Sequence, residues 1–258
     1  MVELVTLGSG SKGNSTLIRT AKAAILIDAG LSARQICLRL ESVSLDPGAI
    51  DAVLLTHDHT DHVSGLRVFN NRYPTLLLAN NKTLDATRRK IGDRMKCESF
   101  NNGKAFTVEE FCITPFPVSH DAADSVGFVI KTEGIRIGYA TDLGKADDKV
   151  IRKLKDCEII VLESNHDRKM LWEGPYPPVI KKRIDSALGH LSNENAAGLL
   201  PKIIGPDTGH VVLAHLSQTN NLRRLAHQLT SDALEESGSG DVAVSVAWQN
   251  KPGDPVRY

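Results

Sequence analysis

The segment Thr56-His57-Asp58-His59-Thr60-Asp61-His62 constrains this chain more than any other. It sets three histidines and an aspartate in the spacing HxHxDH, at the end of the run Ala52 to Thr56. A continuous apolar run of that length reads as a strand buried on both faces. The polar cluster therefore sits where a loop can turn its side chains inward. Neutral imidazoles and carboxylates are the ligands that borderline divalent cations prefer. His57 and His59, two apart in extended chain, point to one side and can share a cation. Asp61 and His62, past the turn, can reach a second. A solvated polar loop or a pH-sensitive histidine cluster is the competing reading.

Two cations need more ligands, and strand ends are where to look for them. His120 follows Phe116-Pro117-Val118-Ser119, Asp142 follows Gly138-Tyr139-Ala140-Thr141, and His215 follows Val211-Val212-Leu213-Ala214. Each is a lone polar residue that ends an apolar run. Singly each reads as a cap or a satisfied surface group; together with HxHxDH they form a ligand set.

The rest of the pattern supplies a scaffold. Strands are expected at Val2 to Leu7, Ser15 to Ile18, Ala24 to Ile27, Thr75 to Ala79, Phe111 to Phe116, Val126 to Lys131, Ile135 to Ala140, Glu158 to Leu162 and Val242 to Trp248. Helices are expected at Ser32 to Leu40, Lys82 to Ile91, Asp147 to Leu154, Asn193 to Ile204 (with Asn193 as cap) and Asn221 to Glu236, the last stopping at Gly238. Many short strands, few helices and no strict βαβ alternation predict an α+β protein of packed sheets with helices outside. Without a repeat or long linker, residues 1–258 read as one domain.

Composition sets limits. Lys plus Arg (31) equals Asp plus Glu (31), so any attraction to phosphates must be local. Cys37, Cys97, Cys112 and Cys157 are scattered with no CxxC pair, which points to buried thiols in a reduced compartment. The opening MVELVTLGSG lacks the features of a signal peptide, and no apolar stretch approaches the ~20 residues that span a bilayer. A soluble, cytoplasmic protein with no membrane partner is the expectation; protein partners and oligomeric state have no signal.

The motifs THDHTDH, SHD, ATDLG and LAHLS, in this order, resemble those of the metallo-β-lactamase-fold hydrolases across nearly the whole chain. The resemblance implies a four-layer αββα sandwich and two divalent metal ions, zinc or manganese. It implies that His57, His59 and His120 hold the first, that Asp61, His62 and His215 hold the second, and that Asp142 bridges them. A hydroxide between the metals would be the nucleophile. Two divalent ions, two carboxylates and a hydroxide leave about +1 net, a local attraction for a phosphodiester.

The fold hosts several chemistries, so further motifs must choose among them. Glu163-Ser164-Asn165-His166-Asp167 and Gly189-His190-Leu191-Ser192-Asn193 resemble paired motifs of the phosphodiesterase branch, notably the tRNA 3′-processing endonucleases. That likeness implies that Glu163 orients His190, and that His190 gives a proton to the leaving oxygen; a histidine titrates in the range this requires. Gly8-Ser9-Gly10-Ser11-Lys12-Gly13-Asn14-Ser15 reads either as a close backbone approach or as a hairpin connection. Met170 to Pro178, with Lys181-Lys182-Arg183, offers aromatics and cations for nucleic acid, or a packed loop and a solvated helix face.

Taken together, these motifs look most similar to the YycJ/WalJ-type bacterial exonuclease subgroup, which implies 5′ to 3′ action on double-stranded DNA and a part in DNA repair. Asp142 and His215 lie only 73 positions apart, too close for the large insertion of the β-CASP nucleases, and no Gly/Pro-rich tRNA-gripping arm is present. A small-molecule hydrolase (cyclic phosphodiesterase or lactonase) or a structured-RNA nuclease is the alternative. Asp61, His190 and Glu163 are the expected catalytic residues. Asp142→Ala should abolish cleavage by removing the shared ligand, checked by metal content and turnover on one preparation; a variant that kept both metals and full activity would contradict the ligand set.

Overall fold

The computed structural model describes residues 1–91 and 95–258. Fourteen strands and nine α-helices are assigned among them. The strands are β1 (Glu3–Gly8), β2 (Ser15–Arg19), β3 (Ala24–Ile27), β4 (Ala52–Leu54), β5 (Leu76–Asn80), β6 (Cys97–Phe100), β7 (Phe106–Val108), β8 (Phe111–Pro117), β9 (Val126–Thr132), β10 (Ile135–Ala140), β11 (Ile159–Glu163), β12 (His210–Ala214), β13 (Ala243–Val246) and β14 (Val256–Arg257). The helices are α1 (Ala33–Ser42), α2 (Thr60–Val63), α3 (Leu66–Arg72), α4 (Asn81–Ile91), α5 (Asp148–Leu154), α6 (Arg168–Glu173), α7 (Pro178–Ile184), α8 (Asn193–Ile203) and α9 (Arg223–Glu236).

The chain divides into two compact units. One comprises Met1–Pro115, Ala122–Val126 and Trp248–Tyr258; the other comprises Phe116–Asp121 and Gly127–Ala247. The first unit is built on a seven-stranded sheet ordered β14-β1-β2-β3-β4-β5-β6. Its β1, β2 and β3 pair antiparallel, while β3 to β6 run parallel. The hairpin β7–β8 pairs Phe106 with Ile113 in the same unit. Its core gathers Leu26, Val53, Leu77 and Ala79 with Ile36 and Leu40 of α1 and Phe69 of α3. The second unit repeats the plan, with β9–β10 antiparallel and β10 to β13 parallel. Its core joins Ile160, Leu162, Val211 and Leu213 to Leu154 of α5, Leu200 and Ile203 of α8, and Ala226 of α9.

The expected strands are all present within two residues at their ends, and β3 and β10 match in full. The described residues hold more helices than the sequence pattern reveals. α2, α3, α6 and α7 are short or carry no continuous apolar stripe, so period alone does not reveal them. The cap of α8 is Ser192, whose side chain accepts from the Asn195 N–H, rather than Asn193. Asn193 is spent elsewhere: it accepts the Ser164 hydroxyl at 2.7 Å and donates to Asn221 at 2.9 Å.

In both units most of the chemistry-bearing residues leave the carboxyl ends of parallel strands, where ligands gather in open α/β sheets. Asp28 follows β3, the HxHxDH segment follows β4, Asp142 follows β10, Glu163 ends β11 and His215 follows β12. Asp28, Asp142 and His215 have φ of 61°, 55° and 55°. This left-handed backbone costs about 1–3 kcal/mol at a non-glycine residue and redirects the side chain at the strand end.

Beside α2 the fit is closest at Gly30. Its N–H donates to the Asn14 carbonyl at 2.8 Å, and Ala29 N–H donates to the His62 carbonyl at 2.9 Å. A Cβ at Gly30 would lie 1.6 Å from the Asp61 carbonyl oxygen. Gly30→Ala should therefore cost about 2–3 kcal/mol through overpacking and lower the melting temperature by roughly 4–12 °C. Thermal denaturation with chelator present checks this, and an unchanged midpoint would contradict it.

Candidate metal centre

The first unit builds one cluster around a buried carboxylate. Asp28 is fully buried. Its Oδ1 accepts the Thr56 N–H at 2.8 Å, and its Oδ2 accepts the Thr56 hydroxyl at 2.8 Å. The same Oδ2 lies 2.8 Å from His62 Nδ1, which donates to it. Burial pushes the Asp28 carboxyl above its ordinary range against the pull of His62 and Thr56. The Thr56 hydroxyl, donating to Asp28, accepts from His57 Nδ1 at 2.9 Å. Both rings thus have Nδ1 committed as a donor, and in a neutral imidazole Nε2 then carries the lone pair.

His57 lies 4.7 Å from His59 and 4.0 Å from His62, ring centre to ring centre. Asp61 Oδ2 is 3.6 Å from His62 Nε2. The Asn14 amide sits 3.3 Å from that carboxylate oxygen and 3.0 Å from that Nε2. Its orientation is fixed because its Oδ1 accepts the Gly10 N–H at 2.7 Å. An electropositive group is thus aimed at both Asp61 and His62. The glycine-rich segment is the β1–β2 connection, and it also delivers Asn14 to this cluster.

The second unit builds the other cluster, again on a buried carboxylate. Glu163 accepts the Leu143 N–H at 2.9 Å and the Leu191 N–H at 3.1 Å on Oε2. Its Oε1 takes His190 Nδ1 at 2.7 Å and His215 Nδ1 at 2.9 Å. Burial alone would raise this carboxyl, but His190 and His215 outweigh it and hold Glu163 well below the usual carboxylate range. Asp142 Oδ1 stands 3.4 Å from His215 Nε2 and 3.9 Å from His120 Nε2. Ligand atoms of Asp142, Glu163, His190 and His215 all lie within 4.8 Å of one another. His120 Nδ1 donates to the Gly189 carbonyl at 3.1 Å.

The two motifs around Glu163 and His190 are physically joined. Asn165 N–H donates to the Leu191 carbonyl at 2.9 Å, and Asn193 N–H donates to the His166 carbonyl at 2.8 Å. The Asn165 side chain also donates to the His215 carbonyl at 2.8 Å. Every sequence-selected residue therefore lies in one of two clusters: His57, His59, Asp61 and His62 in the first unit, and His120, Asp142, Glu163, His190 and His215 in the second.

This donor set fits divalent cations. His57, His62, His120 and His215 each give Nδ1–H to a hydroxyl, carboxylate or carbonyl, the arrangement by which metal-ligating histidines are fixed in one tautomer. Sequence reasoning missed Asp28, Asn14, Thr56 and Asn165 as contributors. The criterion that selected Asp142 and His215, a lone polar residue ending an apolar strand, also selects Asp28 after Ala24–Ile27.

Residues 23–216 match the beta-lactamase superfamily domain. The chain belongs to this superfamily and has the metallo-β-lactamase fold; it is a metal-dependent hydrolase. It is 36% identical over 96% of its length, and 94% of the relative's, to exodeoxyribonuclease YycJ of Bacillus anthracis. It is 35% identical to exodeoxyribonuclease WalJ of Streptococcus pneumoniae, over 91% of this chain and 88% of that one. Among solved structures it is similar in fold to the metallo-β-lactamase fold protein YhfI of Bacillus subtilis. That likeness has a TM-score of 0.76 at 15% identity and covers 98% of this chain and 100% of that one. Among the described residues no helix is long and apolar enough to cross a membrane.

Asp28→Asn should loosen His62 and Thr56 together. The expected loss in metal affinity is about 10–100-fold, measured by chelator competition. Retention of full affinity would show that Asp28 does not position the ligands.

Proposed function

We propose that this chain is a dinuclear metal-dependent phosphodiesterase that degrades double-stranded DNA from the 5′ end. The observation that carries the reading is the Glu163 carboxylate, which holds His190 and His215 on one oxygen atom. That contact sets a proton-carrying imidazole beside a ligand-type imidazole. The likeness to exodeoxyribonucleases YycJ and WalJ over nearly the whole chain supports DNA as the substrate.

In this reading the two units act as one domain. His57, His59 and His120 would hold one cation, Asp61, His62 and His215 would hold the other, and Asp142 would serve both. When bound, the pair of cations, zinc or manganese, would supply Lewis acidity toward the phosphate and an activated water. The chain's own groups do the rest. Asp28, Thr56, Glu163 and the Gly189 carbonyl keep the ligand rings in one tautomer and orientation. With Nδ1 donating to Glu163, His190 exchanges protons with substrate through Nε2, the nitrogen that protonates the leaving oxygen. Glu163 is a positioning residue for both histidines. The four cysteines are free thiols, which supports a reducing compartment such as the cytoplasm.

The test uses linear duplex DNA labelled at either end, alongside bis(p-nitrophenyl) phosphate, a cyclic phosphodiester, a lactone and a structured RNA. Early release of the 5′ label is the expected result. His190→Ala should lower kcat on DNA about 10²–10⁴-fold with metal content unchanged. Release from the 3′ end, or turnover of the lactone alone, would overturn the reading.

A further inference from the structure

The helices α6 and α7 form an elbow in the second unit with an unusual surface. A helix ordinarily buries one apolar stripe, yet α7 buries none of its seven residues. Val179 is 75% exposed and Ile180 is 39% exposed. Among the described residues, four of the nine exposed large apolar side chains fall between positions 172 and 188. Such a concentration marks an interaction surface. Residues 168–184, flanked by Asp167 and Asp185, also carry five cations against the single acid Glu173, in a chain whose total charges balance.

The elbow is braced. Trp172 Nε1 donates to Asp185 Oδ2 at 3.1 Å, and Lys181 Nζ donates to the Trp172 carbonyl at 2.7 Å, so the half-exposed indole lies along α7. Arg183 forks onto Asp121 at 2.5 and 3.0 Å. Ser119 Oγ donates to the Ala187 carbonyl, and Asp121 N–H donates to the Leu188 carbonyl. The segment leaving α7 is thereby stitched to the loop that carries His120, and it runs directly into His190.

We propose that this elbow seats the end of a duplex, with Trp172, Val179 and Ile180 against the terminal base pair and Lys182 on a neighbouring phosphate; the inference rests on the exonuclease reading above. An enzyme that digests a duplex from an end must free one strand from its partner. Apolar side chains wedge between base steps, an indole stacks on any base, and lysines hold phosphates without reading sequence. Self-association through this face would set its cations against their own copies, because a two-fold interface pairs a patch with itself.

The test measures binding of the metal-loaded full chain to a cleavage-resistant, phosphorothioate-linked blunt duplex, and to a dumbbell of the same sequence whose ends are closed by loops. The unsubstituted protein should prefer the open duplex. Val179→Ser/Ile180→Ser, which alters no charge, should weaken open-duplex binding about tenfold and leave the dumbbell unaffected. Lys182→Ala should weaken both alike and lower the salt slope by about one. A double variant that kept the end preference, an unsubstituted protein without one, or a dimer that the double variant splits would each overturn the proposal. If the double variant loses end binding while the unsubstituted protein releases no 5′ label, the exonuclease reading falls and the duplex seat stands. If DNA is digested and end binding is unaltered, only the seat falls.

Discussion

A buried carboxylate gripping an imidazole Nδ1 is the contact on which both clusters depend. Asp28 does this for His62, and Glu163 does it for His190 and His215. Burying a carboxylate costs several kcal/mol unless its oxygens are satisfied. Each is satisfied by backbone N–H groups as well as by histidines, so the charge is held at a defined point rather than left to find its own. The histidines inherit that definition. A ring whose Nδ1 is fixed has one direction left for Nε2, and the direction is set by the sheet beneath it.

The sheets explain how positions so far apart in sequence come to share a chemistry. In each unit the central parallel strands are largely buried hydrophobic runs, and β3, β10 and β12 are each followed by a polar residue that departs from the strand. Left-handed backbone at Asp28, Asp142 and His215 makes that departure possible. Its cost is offset by cores that surround the strands and by hydrogen bonds that over-determine the turn. Gly30, too close to the Asp61 carbonyl for any side chain, shows how tightly the HxHxDH segment is fitted against the end of β3.

Much of this was legible in the sequence because the signals were local. Continuous apolar runs marked the strands, and HxHxDH marked its own cluster. His120, Asp142 and His215 were legible as polar stops on apolar strands. Asp28 is the same kind of stop, but Asp-Ala-Gly after a strand reads equally well as a turn. Asn14 was hidden within a glycine-rich loop whose role is set by tertiary contact with Asp61 and His62. The short helices α2 and α3 were illegible because the residues that form α2 are also the ligand candidates. α7 carries no apolar period, since none of its residues is buried and its contacts are polar ones, through Lys181 and Arg183.

Anomalous X-ray diffraction from crystals of the zinc- or manganese-loaded protein tests the account most directly. It predicts two cation peaks per chain, each met by histidine Nε2 atoms, with an Asp142 oxygen between them. A single peak, coordination through Nδ1, or cations lying apart from His120, Asp142 and His215 would contradict it.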